Sequence, residues 1–453
     1  MSAQFNDEPT LNDQFDRKGW VKKFGENLRN CQPPFVFSVH GDWGSGKTSF
    51  LHQLCHFLTG KSVCPKPGGA EPADDWGVDR KEWPPLVVVW FEAWRFQHDK
   101  APVVQLLQHM RTALAWHIKA RNETTKLAEV TLLSLLGFMD KLIGRVAEEH
   151  GVKSAPGFTS VQQIGEQWEA EHFATGSPSE SLRKHFEQVI TQICGSNGRV
   201  FVLIDDLDRC QPEAAYKLLE GIKIYLNLPN CVFVLAIDHR QLERAIAHCL
   251  PGAATVGDPS GGIHQAREYL EKICQDVWHL PLVPVPKQEA LLRHCLGAPE
   301  GGPERELNAV FSTLTRYVCL PANGRKIKSY ANTLRRFCEN CPAMLNQTIE
   351  RHAQLLTIMS CLYHFHPQIY RVLESRPAFY NEMLLWAGGQ ASEQPAFEGL
   401  KVLGDKEGQH SVRNPDPATG DVFRITRLVR EAKDATETEV RNYLLPYAIT
   451  ENS

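Results

Sequence analysis

The stretch Gly41-Asp42-Trp43-Gly44-Ser45-Gly46-Lys47-Thr48 satisfies the pattern G-x-x-x-x-G-K-[S/T] at every required position. These residue types specify a triphosphate ligand. Glycines let the backbone take positive φ and bring its N–H groups close to phosphate oxygens. A helix starting at the end of the loop adds the positive end of its dipole to the same anion site. Lys47 is placed for the β- and γ-phosphates, and the Thr48 hydroxyl for Mg²⁺.

Hydrolysis requires a second set of groups. The apolar run Val200-Phe201-Val202-Leu203-Ile204 ends in Asp205-Asp206. In a parallel sheet, ligands bind at the carboxyl ends of the strands. Asp205 is then expected to hold Mg²⁺, and Asp206 to polarise the attacking water as general base.

The surrounding elements have the required order. Phe35-Val36-Phe37-Ser38-Val39 reads as a strand entering the loop, and Phe50, Leu51, Leu54, Phe57 and Leu58 recur at helical spacing after it. Leu86–Phe91, Val200–Ile204 and Cys231–Ile237 are apolar on both faces, as buried parallel strands are. Strands alternating with helices predict an α/β fold: a parallel sheet flanked by helices, followed from about Ala290 by an all-α domain. The expected organisation is a helical lead-in over 1–32, with a helix from about Leu11 to Asn30. An α/β domain follows over 33–285, with an exposed insertion at 61–85 and a helical insertion at about 100–185 that holds a helix near Leu127–Glu149. A helical domain occupies 286–387. A polar tail over 388–453 ends in a helix near Glu437–Tyr447.

With 42% hydrophobic and 23% charged residues in 453, the composition is that of a globular protein with a large core. A net charge of −4 gives no global electrostatic argument for nucleic acid. The 13 cysteines are odd in number and scattered through apolar segments, and the polar, acidic start has no apolar run. Both point to a reducing cytoplasm with buried thiols. Val130–Val146 is interrupted by Asp140, Lys141 and Arg145, so no transmembrane segment is expected.

The motifs together resemble one family, the KAP P-loop NTPases. Gly41 through Ser49 looks like its G-[ED]-W-G-S-G-K-T-S loop, with Trp43 and Ser49 the positions that the general pattern leaves open. Phe91-Glu92-Ala93-Trp94 is similar to its F-N-A-W motif. Ile204-Asp205-Asp206-Leu207-Asp208-Arg209-Cys210-Gln211-Pro212-Glu213 matches its acidic strand, and Tyr269-Leu270-Glu271-Lys272-Ile273 its Y-L-E-K-I segment. Asn323-Gly324-Arg325-Lys326-Ile327-Lys328 resembles its N-P-R-x-I-K turn. Glu92 and Gly324 depart from the pattern. The resemblance implies an additional strand between the loop strand and the acidic strand, with Asp238 at its end as a sensor of the γ-phosphate. Read from the residues alone, Asp238 is a helix N-cap. Transition-state charge also calls for a cation, and the resemblance nominates Arg209 as a finger at a subunit interface and Arg325 as a sensor-type contact. Absence of membrane helices resembles the soluble bacterial branch, which acts in phage exclusion and defence.

Two weaker constellations are set aside. Cys338-x-x-Cys341 and Cys361-x-x-His364-x-His366 have zinc-like spacing. A single helix over Ala343–Tyr363 would hold the two halves about 30 Å apart, at about 1.5 Å per residue. The basic cluster Arg325, Lys326, Lys328, Arg335 and Arg336 reads as a solvated helix face rather than a nucleic-acid surface.

The expectation is a Mg²⁺-dependent ATPase. Binding and hydrolysis would switch the helical domain or an assembly, as a homo-oligomer or with a partner protein of a multi-component system. Two alternatives stay open: a nucleotide-gated scaffold with little turnover, and a phosphotransferase acting on a small molecule.

Overall fold

A computed structural model describes residues 8–62, 75–120, 178–195, 197–225, 228, 230–250, 259–297, 305–316, 320–341, 347–387 and 434–445, with 137, 139, 140, 143–148, 151, 428–430 and 432. They divide into two compact units. Pro9–Asp13 and Arg17–Pro281 form one; Gln14–Asp16 and the described residues from Leu282 onward form the other.

The first unit is a five-stranded parallel sheet. Its strands are β1 (Phe35–His40), β2 (Leu86–Glu92), β3 (Arg199–Asp205), β4 (Cys231–Ile237) and β5 (Asp276–His279), ordered β2-β3-β4-β1-β5. The strand inserted between the loop strand and the acidic strand is therefore present, as β4. Alternate side chains serve two cores, as the two-residue period of a strand dictates. Val200, Val202 and Ile204 of β3 face one, and Phe201 and Leu203 the other. The first core is completed by α3 (Pro102–Ala120), α4 (Pro178–Cys194), α5 (Pro212–Tyr225) and α6 (His239–Cys249), with α7 (Pro259–Ile273) following. The second is completed by α1 (Lys18–Asn30) and α2 (Lys47–Thr59), where Phe24 packs edge-on against Phe50, Phe37 and Trp278. A Cβ on Gly25 of α1 would run into the Phe57 ring of α2, so glycine sets how closely these helices approach.

Several sequence expectations are adjusted. The lead-in helix begins at Lys18 rather than near Leu11, because the Asp13 carboxylate accepts the backbone N–H groups of Arg17 and Lys18, both at 2.8 Å. That carboxylate makes the residues before them a turn, with Asp16 at φ 58°. The insertion at 61–85 is exposed only in part: Trp76 is buried and its indole N–H donates to His56 Nδ1 at 2.8 Å. β5 had no counterpart in the sequence reading; it is four residues long, alternately half-buried and exposed, and carries too little apolar signal to stand out. The helix expected near Leu127–Glu149 lies mostly outside the described residues.

The second unit is helical: α8 (Val285–Leu296), α9 (Arg305–Arg316), α10 (Gly324–Asn340), α11 (Ile349–Phe365), α12 (Pro367–Ser375), α13 (Phe379–Ala387) and α14 (Glu437–Arg441). Phe311, Tyr330, Phe337, Leu356 and Met359 are among its core. α11 starts at Ile349, six residues after the expected Ala343, because the Thr348 side chain caps it by accepting from Arg351 N. α14 ends at Arg441 instead of Tyr447 and opens with a capping box of Thr436 and Glu439. Among the described residues no helix is long and apolar enough to cross a membrane.

Candidate active site

β1 delivers the chain to Gly41, whose N–H donates to the Ile237 carbonyl of β4 at 3.3 Å. Gly44 (φ 80°) and Gly46 (φ 94°) take left-handed conformations that other residues adopt only with strain. Ser45 N donates to Asp42 O at 3.0 Å, closing the turn. Gly46 is the N-cap of α2 and no side chain caps that helix, so its first-turn N–H groups stay available to an anion.

Lys47 is buried at 7% exposure, and its ammonium donates to the Gly41 carbonyl at 2.7 Å. It also lies 3.4 Å from Oδ2 of Asp208, a residue quoted above only as part of a motif. The same oxygen accepts Asp238 N at 2.8 Å, while Asp208 Oδ1 is buried with no hydrogen-bond partner. The signal for Asp208 was a third acid three residues after Asp205. What was missing was the 3₁₀ turn Leu207–Arg209, which folds it back toward Lys47.

Asp205 is 2% exposed, its Oδ1 accepts the Asp206 N–H at 3.0 Å, and Thr48 lies near enough to favour its charged form. The Asp205 pKa is raised to about 7, first by burial and then by the adjacent Asp206, with Thr48 and Lys47 opposing the shift. Asp206 sits at φ 57°, a left-handed conformation costing a non-glycine residue about 1–2 kcal/mol. Its pKa is raised, first by burial, against the attraction of Arg209. Arg209 Nη2 lies 2.9 Å from Asp206 Oδ1, so in this state the arginine pairs with the carboxylate beside it.

The remaining nominated residues have these places. Asp238 is the N-cap of α6, accepting from Arg240 N at 3.0 Å, while its own N–H joins it to Asp208. Arg325 stands in the first turn of α10, in the helical unit. Asp42 is close enough to His40 to raise its pKa against the lowering by burial. Trp43 is 63% exposed at the rim of the loop. The Ser49 hydroxyl accepts Thr10 N at 3.2 Å. Glu92, level with Asp205 in the β2–β3 register, pairs with Arg95 and accepts from the Trp90 indole at 3.3 Å.

The donor set fits a hard divalent cation. Thr48 and Asp205 supply adjacent oxygens, one a buried carboxylate whose charge lacks full compensation. Elsewhere, His364 of the zinc-like constellation bonds Thr333 Oγ1 at 2.9 Å, and burial pushes its pKa down to about 4. Among the described residues no group of three His, Cys, Asp or Glu could hold a metal ion.

Comparison with known proteins agrees with this geometry. The KAP family P-loop domain matches residues 17–340, more than half of the chain. Among curated proteins, none matches the chain.

Proposed function

The chain belongs to the KAP family of P-loop NTPases, and from that premise we propose that it binds Mg²⁺–ATP at the Gly41–Thr48 loop and hydrolyses it. The observation that carries this reading is the convergence of Lys47, Thr48, Asp205 and Asp206. Lys47 and Thr48 follow β1, Asp205 and Asp206 stand at the end of β3 across the intervening β4, and both Lys47 and Thr48 act on the Asp205 carboxylate.

In this reading the loop N–H groups, with Lys47, bind the β- and γ-phosphates. Thr48 and Asp205 hold Mg²⁺, which when bound neutralises charge on the phosphate oxygens. Asp206 orients a water and takes its proton as the water oxygen bonds to the γ-phosphorus. The bond from that phosphorus to the β–γ bridging oxygen breaks, and ADP leaves with the electron pair. Arg209 and Arg325 are the cations proposed for the transition-state charge. Asp238 senses the γ-phosphate through the Asp208 contact.

One observation favours the slow-turnover scaffold as a second reading. Arg209 paired to Asp206 draws the carboxylate away from base chemistry until something withdraws the arginine. Removal of Arg209 by a neighbouring copy or partner would make hydrolysis conditional on assembly. We propose the cytoplasm of a bacterium as the setting and defence against phage as the role, on the motif resemblance. Cells carrying the wild-type chain should lower phage plating efficiency, and cells carrying Lys47→Ala should not. Phosphate release from Mg²⁺–ATP, present in the wild type and absent in Lys47→Ala, tests the biochemical reading.

A further inference from the structure

Arg17 belongs to none of the motifs, yet it is 5% exposed and reaches the phosphate loop. Nη1 donates to the Ser45 carbonyl at 2.7 Å, and Nη2 to the Pro281 carbonyl at 2.6 Å. The segment before it is fixed along α2: Thr10 N donates to Ser49, Gln53 donates to the Asn12 carbonyl at 3.4 Å, and Asp13 takes the N–H groups of Arg17 and Lys18. Burial lowers the Arg17 pKa to about 10, with Asp13 opposing, so the guanidinium stays charged at neutral pH.

The Ser45 carbonyl shares a peptide plane with the Gly46 N–H. In a trans peptide the two point to opposite sides. Holding the oxygen against Arg17 therefore sends the Gly46 N–H away from Arg17. Glycine at φ 94° has little steric resistance to reversing that plane, so an external anchor decides its direction. The other arm of the fork holds Pro281, the last residue of the α/β unit, and Arg17 is itself the point where the chain re-enters that unit after Asp16.

We infer that Arg17 is a positioning residue for nucleotide binding: it holds the Ser45–Gly46 peptide with its N–H toward the phosphates and ties that orientation to the chain at Pro281. The inference rests on the nucleotide reading above. It is tested on the full chain by titration calorimetry with Mg²⁺–ATP, using the wild type, Arg17→Met and Arg17→Lys. Arg17→Met should raise the dissociation constant at least tenfold. Arg17→Lys, which keeps the charge but cannot fork to both carbonyls, should raise it three- to tenfold. In turnover assays KM should rise while kcat at saturating ATP stays within twofold, a split that a general loss of stability does not produce. Arg17→Lys keeps one bond and folds even where Arg17→Met does not, so its affinity alone decides. Wild-type affinity in Arg17→Lys, with binding intact in the wild type, overturns the inference and leaves the site reading standing. Absence of ATP binding in the wild type overturns both.

Discussion

The Lys47 ammonium lies 3.4 Å from Asp208 Oδ2, with both side chains more than nine-tenths buried. The lysine that should grip a phosphate is thus held inside the protein by a carboxylate and by the Gly41 carbonyl. An incoming phosphate must share the lysine with Asp208 and tolerate its charge. Asp208→Asn keeps an oxygen for Asp238 N and removes the charge, so ATP affinity should rise, by severalfold in calorimetry. Asp208→Ala leaves the Asp238 N–H without its acceptor and should cost about 1–3 kcal/mol of stability. Weaker ATP binding in Asp208→Asn would show that the pair assists the nucleotide instead of competing with it.

Gly25 tests the packing that holds α2, and with it the loop. Its missing Cβ is where the Phe57 ring passes. Gly25→Ala should gain helix propensity but lose more through overpacking, a net loss of about 1–3 kcal/mol in denaturant melts. The double variant Gly25→Ala with Phe57→Leu should recover part of it.

His239 gives the unit an acid-sensitive point. Burial pushes its pKa down to about 4, His40, His279 and Arg267 act in the same direction, and Glu243 opposes. Its ring Nε2 bonds Ser38 Oγ at 3.0 Å, and the His239 backbone N–H donates to His40 Nδ1 at 3.0 Å. Unfolded, it protonates below about 6.5; folded, only near 4. Between those values the unfolded chain holds the extra proton, so this contribution to stability is present above pH 6.5 and lost as pH falls toward 4. Denaturant melts across that window should show a shallower loss in His239→Gln than in the wild type. Parallel curves would mean that the ring is protonated in the folded state.

Much of this was legible from residue order because it depends on local rules. Continuous apolar runs marked β2, β3 and β4, and the glycine spacing marked the loop, since few other residues tolerate the φ values of Gly44 and Gly46. Asp208, Arg17 and β5 were not legible. Asp208 and Arg17 act through contacts 161 and 28 residues away in sequence, Asp208 with Lys47 and Arg17 with Ser45. No periodicity records such contacts. β5 is an edge strand whose exposed face leaves no apolar run. Arg209 was nominated for a neighbour's site, yet it pairs with Asp206 because a 3₁₀ turn brings the two side chains to one side.

Asp206 is proposed as the base that drives hydrolysis of a nucleotide held by Lys47. The most direct measurement is phosphate release from Mg²⁺–ATP by the wild type and Asp206→Asn, with molecular mass followed in the same samples. Loss of a general base lowers turnover by about 10²–10⁴-fold. A loss in that range is expected in Asp206→Asn, with ATP binding retained and any ATP-dependent change of mass preserved. Turnover in Asp206→Asn equal to that of the wild type would contradict it.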